Sequence, residues 1–207
     1  MASENKDNDK VLISFDIGIK NLAVCVLVAT NGCKTAKILV WKIISLAEKT
    51  EKIPNLNELS GRLFTELDDI TNEIGLEREI DTVLLENQPS RLNGTMKSIQ
   101  MMIYTYYQVR RHWEGIVRNV QMVAASQKLL NHKYEIAPEL METMKNKKLY
   151  EITKWKSIQI TKKYIENDQK LIDMFNSYKK LDDMGDSCLQ CISWLNKHHY
   201  DIEQLSS

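Results

Sequence analysis

Val11, Leu12, Ile13 and Phe15 crowd four apolar positions into five residues before the chain reaches Asp16, Ile17 and Gly18. Such a run predicts a short buried strand. The valine-rich segment from Leu22 to Thr30 predicts a second strand, and Asn31-Gly32 then supplies the strongest short hairpin signal. Ala36 to Ser45 is therefore expected to return antiparallel as a third. Between Asn55 and Gly75, Leu56, Leu59, Leu63, Phe64, Leu67, Ile70 and Ile74 recur at three- and four-residue steps, which predicts an amphipathic helix ended by Gly75.

Ile80 to Leu85 is too short for a helix and reads as a strand delivering Glu86, with Pro89 closing it because proline cannot donate to a ladder. Gly94 to Trp113 reads as a long helix and Val117 to Ala124 as a further strand. Asn131 to Lys147, with Pro138 inside it, lacks periodicity and is expected to be a long surface loop or insertion. Helical patterns resume at Leu149–Ile165, Asp168–Tyr178 and Asp182–Asn196. Three strands, helix, strand, helix, strand and then helices predict a mixed α/β layered fold, not a strictly alternating parallel one.

A chain of 207 residues fits one domain with a substantial core. Residues 1–10 are polar and charged and read as a disordered tail rather than a signal peptide, which leaves 11–207 as a single domain with an insertion near 131–147. No segment approaches the apolar length of a membrane span, so a soluble intracellular protein is expected. Cys25, Cys33, Cys188 and Cys191 fall in strand and helix patterns, and free thiols fit them better than a zinc site.

Net charge is zero, but it is unevenly spread. Between Arg91 and Lys180 the chain holds 17 Lys or Arg against 8 Asp or Glu, a surplus of nine. A lopsided field of this kind suits a polyanion, with the acidic remainder free to gather cations; solvated helix faces are the plainer account.

The carboxylates carry the chemistry. A buried Asp16 costs several kcal/mol unless it is paired, protonated or holding a cation, so it is a candidate metal ligand, although Asp before Gly also fits a hairpin turn. Glu86 repeats the theme at a later strand. Asp182, Asp183 and Asp186 stand three and four apart at the start of the last helix and repel one another there. An N-cap or the helix dipole accounts for one of them, whereas a divalent cation accounts for the set. Hard carboxylate oxygens without His or Cys suit Mg²⁺ or Mn²⁺, and two such ions can activate water and stabilise the leaving oxygen of a phosphodiester. Gly185 lowers helix propensity in this turn by about 1 kcal/mol relative to Ala, so a late or incompletely ordered start is expected.

The D-I-G after the first strand, the strand-borne L-L-E-N-Q-P and the closing K-K-L-D-D-M-G-D-S-C-L together resemble the RuvC-type Holliday junction resolvases of the ribonuclease H-like superfamily, in their poxvirus form. The resemblance covers Val11 to about Leu195. It implies a five-stranded mixed sheet with the first three strands antiparallel, a homodimer, and paired metal-dependent nicks across four-way or branched DNA. Host cytoplasm or virion is the setting it implies. By this resemblance Asp16, Glu86, Asp183 and Asp186 take the metal-binding and catalytic positions for two Mg²⁺ ions, and Asp182 is a neighbour outside the ligand set. The family's active-site lysine fits Lys128 best, with Lys147, Lys148 and Lys154 as weaker matches. Gly18 is expected to leave room for a DNA backbone, and the Gly94–Trp113 helix to form the dimer face. An inactive nucleic-acid-binding module of the same fold and a nuclease for RNA–DNA hybrids are the alternatives. An actin-like ATPase also carries Asp-x-Gly on its first strand, but needs a second copy of that loop.

Overall fold

A computed structural model of the chain describes residues 9–47, 52–75, 78–88 and 94–207. A mixed sheet runs through its middle. The strands are β1 (Asp9–Asp16), β2 (Leu22–Thr30), β3 (Thr35–Ile44), β4 (Ile80–Glu86), β5 (Val117–Val123) and β6 (Gln204–Ser206), in spatial order β5-β4-β1-β2-β3-β6. The first three pair antiparallel, and β4, β5 and β6 join parallel to β1, β4 and β3. The mixed α/β expectation therefore holds, with six strands in place of five. β6 is only three residues long, too short for periodicity to reveal, and it is led onto β3 by backbone bonds from Glu203 and Gln204 to the Lys34 carbonyl.

The helices are α1 (Leu56–Ile74), α2 (Gly94–Val109), α3 (Pro138–Glu142), α4 (Leu149–Ile165), α5 (Gln169–Ser177) and α6 (Leu181–Lys197). Asn55 caps α1 by accepting from the Glu58 amide at 3.1 Å. The helix expected to reach Trp113 changes to a π-helical turn at Arg110–Glu114 and stops at Gly115, whose φ is 70°. The 131–147 stretch is not wholly irregular: Pro138 opens α3, a helix too short to show a period. Among the described residues, no helix is long and apolar enough to cross a membrane. All four cysteines are free thiols.

Side chains alternate along a strand, so β1 serves two cores. Val11, Ile13 and Phe15 face α1 and α2, packing with Leu63, Leu67, Ile103 and Tyr107. Leu12 faces the other way, with Leu84 of β4, toward Met184, Cys188 and Ile192 of α6 and Tyr164 of α4.

Three boundary expectations change. Residues 9 and 10 of the expected tail belong to β1, tied down where Lys10 Nζ meets Asp81 Oδ1 at 2.6 Å and the Val11 amide donates to Asp81 Oδ2 at 3.0 Å; residues 1–8, like Pro89, lie outside the described residues. α6 starts early, at Leu181, and Gly185 lies within it. A Cβ at Gly185 would come within 2.9 Å of both Ser157 Oγ and Thr161 Oγ1, so its bare backbone is what lets α6 cross close to α4. Packing has overridden propensity there.

Asp16 ends β1 opposite Ala23, and residues 17–21 connect the hairpin. Within that loop a Cβ on Gly18 would sit 2.4 Å from the Asn21 carbonyl oxygen. Gly18 is thus required by the turn itself. Gly18→Ala is expected to lower unfolding free energy by about 1–3 kcal/mol through this overpacking, measured by urea denaturation.

Candidate active site

The alternation that sends Leu12 toward α6 also sends Ser14 and Asp16 there. β4 lies parallel to β1 with Phe15 opposite Leu85, so Asp16 and Glu86 occupy the next rung, at the carboxyl ends of neighbouring strands. Open α/β sheets gather their chemistry at such ends. α6 comes down on this corner, and two buried hydrogen bonds fix its depth: Gln190 Nε2 donates to Ser14 Oγ at 2.8 Å, and Trp41 Nε1 to the Met184 carbonyl at 2.9 Å. The first turns of α6 carry Asp182, Asp183 and Asp186.

Lys128 enters from the 3₁₀ turn Ala125–Leu129 that follows β5. Its Nζ lies 2.9 Å from Glu86 Oε2 and 2.5 Å from Asp186 Oδ2, bridging the sheet to α6. The turn beneath it is held from two sides. Ser193 Oγ donates to the Gln127 carbonyl at 2.7 Å, and His132 Nε2 lies 2.6 Å from the Lys128 carbonyl. Burial keeps the His132 pKa below the ordinary value, so a neutral ring fits: Nε2–H donates to Lys128 O, and Nδ1 accepts from Tyr164 Oη at 3.2 Å.

The electrostatics are those of a carboxylate excess. Burial pushes the Asp16 carboxyl well above the usual range; Lys128 pulls it down, while Glu86, Asp186 and Asp183 push it up. Burial likewise raises Asp186 against the pull of Lys128. Asp183 is pushed up to about 6 by burial and then by Asp182. Burial disfavours charge on Lys128 too, but the carboxylates of Asp186, Asp16 and Glu86 prevail and hold it above the ordinary lysine value. Asp182 is separate. Burial works against its charge, yet its ion pair with Lys154 keeps it below the ordinary range.

The structure thus brings Asp16, Glu86, Asp186 and Lys128 together with Asp183 beside them. Lys154 is engaged by Asp182, and Lys147 and Lys148 are exposed before α4. Sequence reading missed the Lys154–Asp182 pair and the Gln190–Ser14 anchor; both link elements distant in the chain, and no local spacing signals them.

These residues suit a divalent cation in two respects. Asp186 Oδ1 is buried without a hydrogen-bond partner, and the donors are oxygen only, as hard cations require. Among the described residues no three His, Cys, Asp or Glu side chains are arranged around one point as a finished metal cage; the ammonium of Lys128 stands between Glu86 and Asp186 instead. The donor chemistry and the orphaned oxygen fit a cation that shares this corner with Lys128.

The family described as "Poxvirus A22 protein" matches residues 10–198. "Uncharacterized protein L451" of Acanthamoeba polyphaga mimivirus is 31% identical over 140 residues, covering 64% of this chain and 33% of the relative, so the chain spans about a third of that curated protein's length. Among solved structures, the yeast mitochondrial Holliday junction resolvase Ydc2 superposes with a TM-score of 0.61 at 20% identity, over 93% of this chain and 84% of that one. The fowlpox virus Holliday junction resolvase does so with a TM-score of 0.53 at 18% identity, over 91% and 99%. Both likenesses are of fold.

Asp183 gives this corner a pH signature. Its folded pKa, about 6, lies above the ordinary 3.8, so the stability that its protonation contributes is complete below pH 3.8 and lost as pH rises through 6. In EDTA, Asp183→Asn is expected to be more stable than the unaltered protein at pH 8 by about 1 kcal/mol, a figure discounted for partial exposure. The advantage should shrink toward pH 4, as followed by denaturant titration across pH.

Proposed function

Because the chain belongs to the Poxvirus A22 protein family, we propose that it is a metal-dependent, structure-selective endonuclease that resolves four-way DNA junctions and related branches by paired symmetric nicks. One observation carries the reading. Carboxylates from two neighbouring strand ends and from α6 meet one ammonium at a single buried corner of a fold shared with two proteins described as Holliday junction resolvases.

Asp16, Glu86, Asp183 and Asp186 would hold divalent cations, two Mg²⁺ or Mn²⁺ per site. Such ions supply a water of lowered pKa and charge stabilisation at the leaving oxygen. The chain's own residues do the rest. Lys128, already 2.5 to 2.9 Å from two carboxylates, is placed to hold a non-bridging oxygen of the scissile phosphate or the attacking water. Its turn cannot drift, because His132 and Ser193 clasp the backbone on either flank. Exposed lysines such as Lys147, Lys148, Lys162, Lys163, Lys179 and Lys180 grip phosphates without reading bases, which favours shape over sequence.

A four-way junction is roughly two-fold, so a two-fold homodimer sets two such corners on opposed strands. The partner face we assign is that of α2 and the turn after it. There Met101, Val109 and Trp113 are exposed side chains, with Trp113 79% accessible, and Phe64 of the neighbouring α1 is exposed beside them. Phe64 stacks on Tyr106 at 6.0 Å and so presents a flat apolar surface.

End-labelled four-way junction, linear duplex and RNA–DNA hybrid, each incubated in Mg²⁺, test the assignment. Symmetric nicks in the junction alone are expected, and none in EDTA; cutting of the hybrid in preference would move the protein to a different nuclease class, and no cutting would make it a binding module. Asp16→Asn, Glu86→Gln and Asp186→Asn should each lower cutting by at least about a hundredfold while junction binding persists. Lys128→Met should slow cutting to a similar degree in the same assay. A variant that cuts at the normal rate removes that residue from the site.

A further inference from the structure

α4 packs by its second half. Its buried residues are Ser157, Ile160, Thr161, Tyr164 and Ile165, while its first two residues, Leu149 and Tyr150, are 80% and 68% exposed. A single exposed apolar side chain is ordinary, but two in succession, one of them aromatic, at the free end of a helix are not explained by packing. Nor are they remote from the acidic corner. Lys154 Nζ lies 4.8 Å from the centre of the Tyr150 ring, and the same ammonium pairs with Asp182 in the first turn of α6. The Tyr150 ring is thus one ammonium away from the turn that carries Asp183 and Asp186.

The surrounding charge names the kind of partner. Residues 145–156 contain five lysines and one acid, Glu151, so the exposed ring stands in a cationic field. Cations that bind phosphate and an aromatic face that accepts a base are the two elements of a single-stranded nucleic-acid platform. A fully stacked duplex offers no base to such a ring, whereas a branch point, where stacking is interrupted, does.

We infer that Tyr150, with the exposed Leu149 next to it in the chain, is a stacking platform for a nucleobase unstacked at the branch point, and that it selects branched DNA over duplex beside the cutting site. This rests on the junction-cleaving reading and extends it to the residue that recognises the branch. Lys154 has a double part here. It links the ring to the first turn of α6 and neutralises Asp182, which would otherwise repel the incoming phosphate.

The test uses the full chain and a four-way junction with 2-aminopurine at positions flanking the branch, in Ca²⁺ so that binding is read without turnover, and a linear duplex of the same sequence. The unaltered protein should raise 2-aminopurine fluorescence at the branch. Tyr150→Ala should abolish the rise and weaken junction binding roughly tenfold while duplex binding and melting temperature stay unchanged. Tyr150→Phe should restore both, and Leu149→Ala should diminish the rise. The inference is overturned if Tyr150→Ala keeps the fluorescence rise, if it weakens duplex as much as junction, or if it changes only the oligomeric mass, which would make the patch a contact between copies. An unaltered protein that nicks junctions without unstacking a base refutes the platform alone. One that neither prefers nor nicks junctions refutes the functional reading beneath it.

Discussion

Ionised carboxylates share a buried corner at a heavy cost unless positive charge stands among them, and Lys128 is that charge. Its ammonium ties Glu86 of the sheet to Asp186 of the last helix, and its turn is in turn clamped by His132 and Ser193. One cation does not balance Asp16, Glu86, Asp183 and Asp186. The residue of that imbalance appears as raised pKa values at Asp16, Asp183 and Asp186 and as the unpartnered Asp186 Oδ1. An excess of buried carboxylate over ammonium carries an electrostatic cost that a divalent cation would relieve.

Local periodicity revealed most of the fold, and for a physical reason. β1, β2 and β4 are buried on both faces and so read as short apolar runs, while a long helix such as α1 buries one face, which writes a period into the chain from Leu59 to Ile74. What stayed hidden was decided by partners far away. β6 is led onto β3 by the Lys34 carbonyl, and α6 runs through Gly185 because that residue fits against Ser157 and Thr161. The hairpin and ligand readings of Asp16 proved compatible, since the carboxylate ends one strand of a hairpin and still faces α6. In the candidate site the carboxylates could be picked out one at a time as charges in apolar surroundings. Lys128 could not, because a lysine after a strand looks like any surface lysine. Only the family resemblance pointed to it, and only the fold puts it between Glu86 and Asp186.

The corner also divides labour between a rigid and an adjustable half. Asp16 and Glu86 sit at the ends of hydrogen-bonded parallel strands, whose register leaves them little freedom. Asp183 and Asp186 ride on a helix whose depth is set by side chains: Gln190 on Ser14, Trp41 on the Met184 carbonyl, and the bare Gly185 against α4. Substitutions that tilt α6 would therefore disturb the centre without touching any of its acids.

The docking of α6 on β1 has a bearing on how the protein is made. Asp186 reaches the strand ends only once α6 has been made, and Gln190, which fastens that helix to Ser14, follows it in the chain. A chain made only as far as β5 carries Asp16 and Glu86 but neither Lys128 nor the acids of α6. The carboxylate corner is therefore assembled only after α6 has been made and has docked on β1.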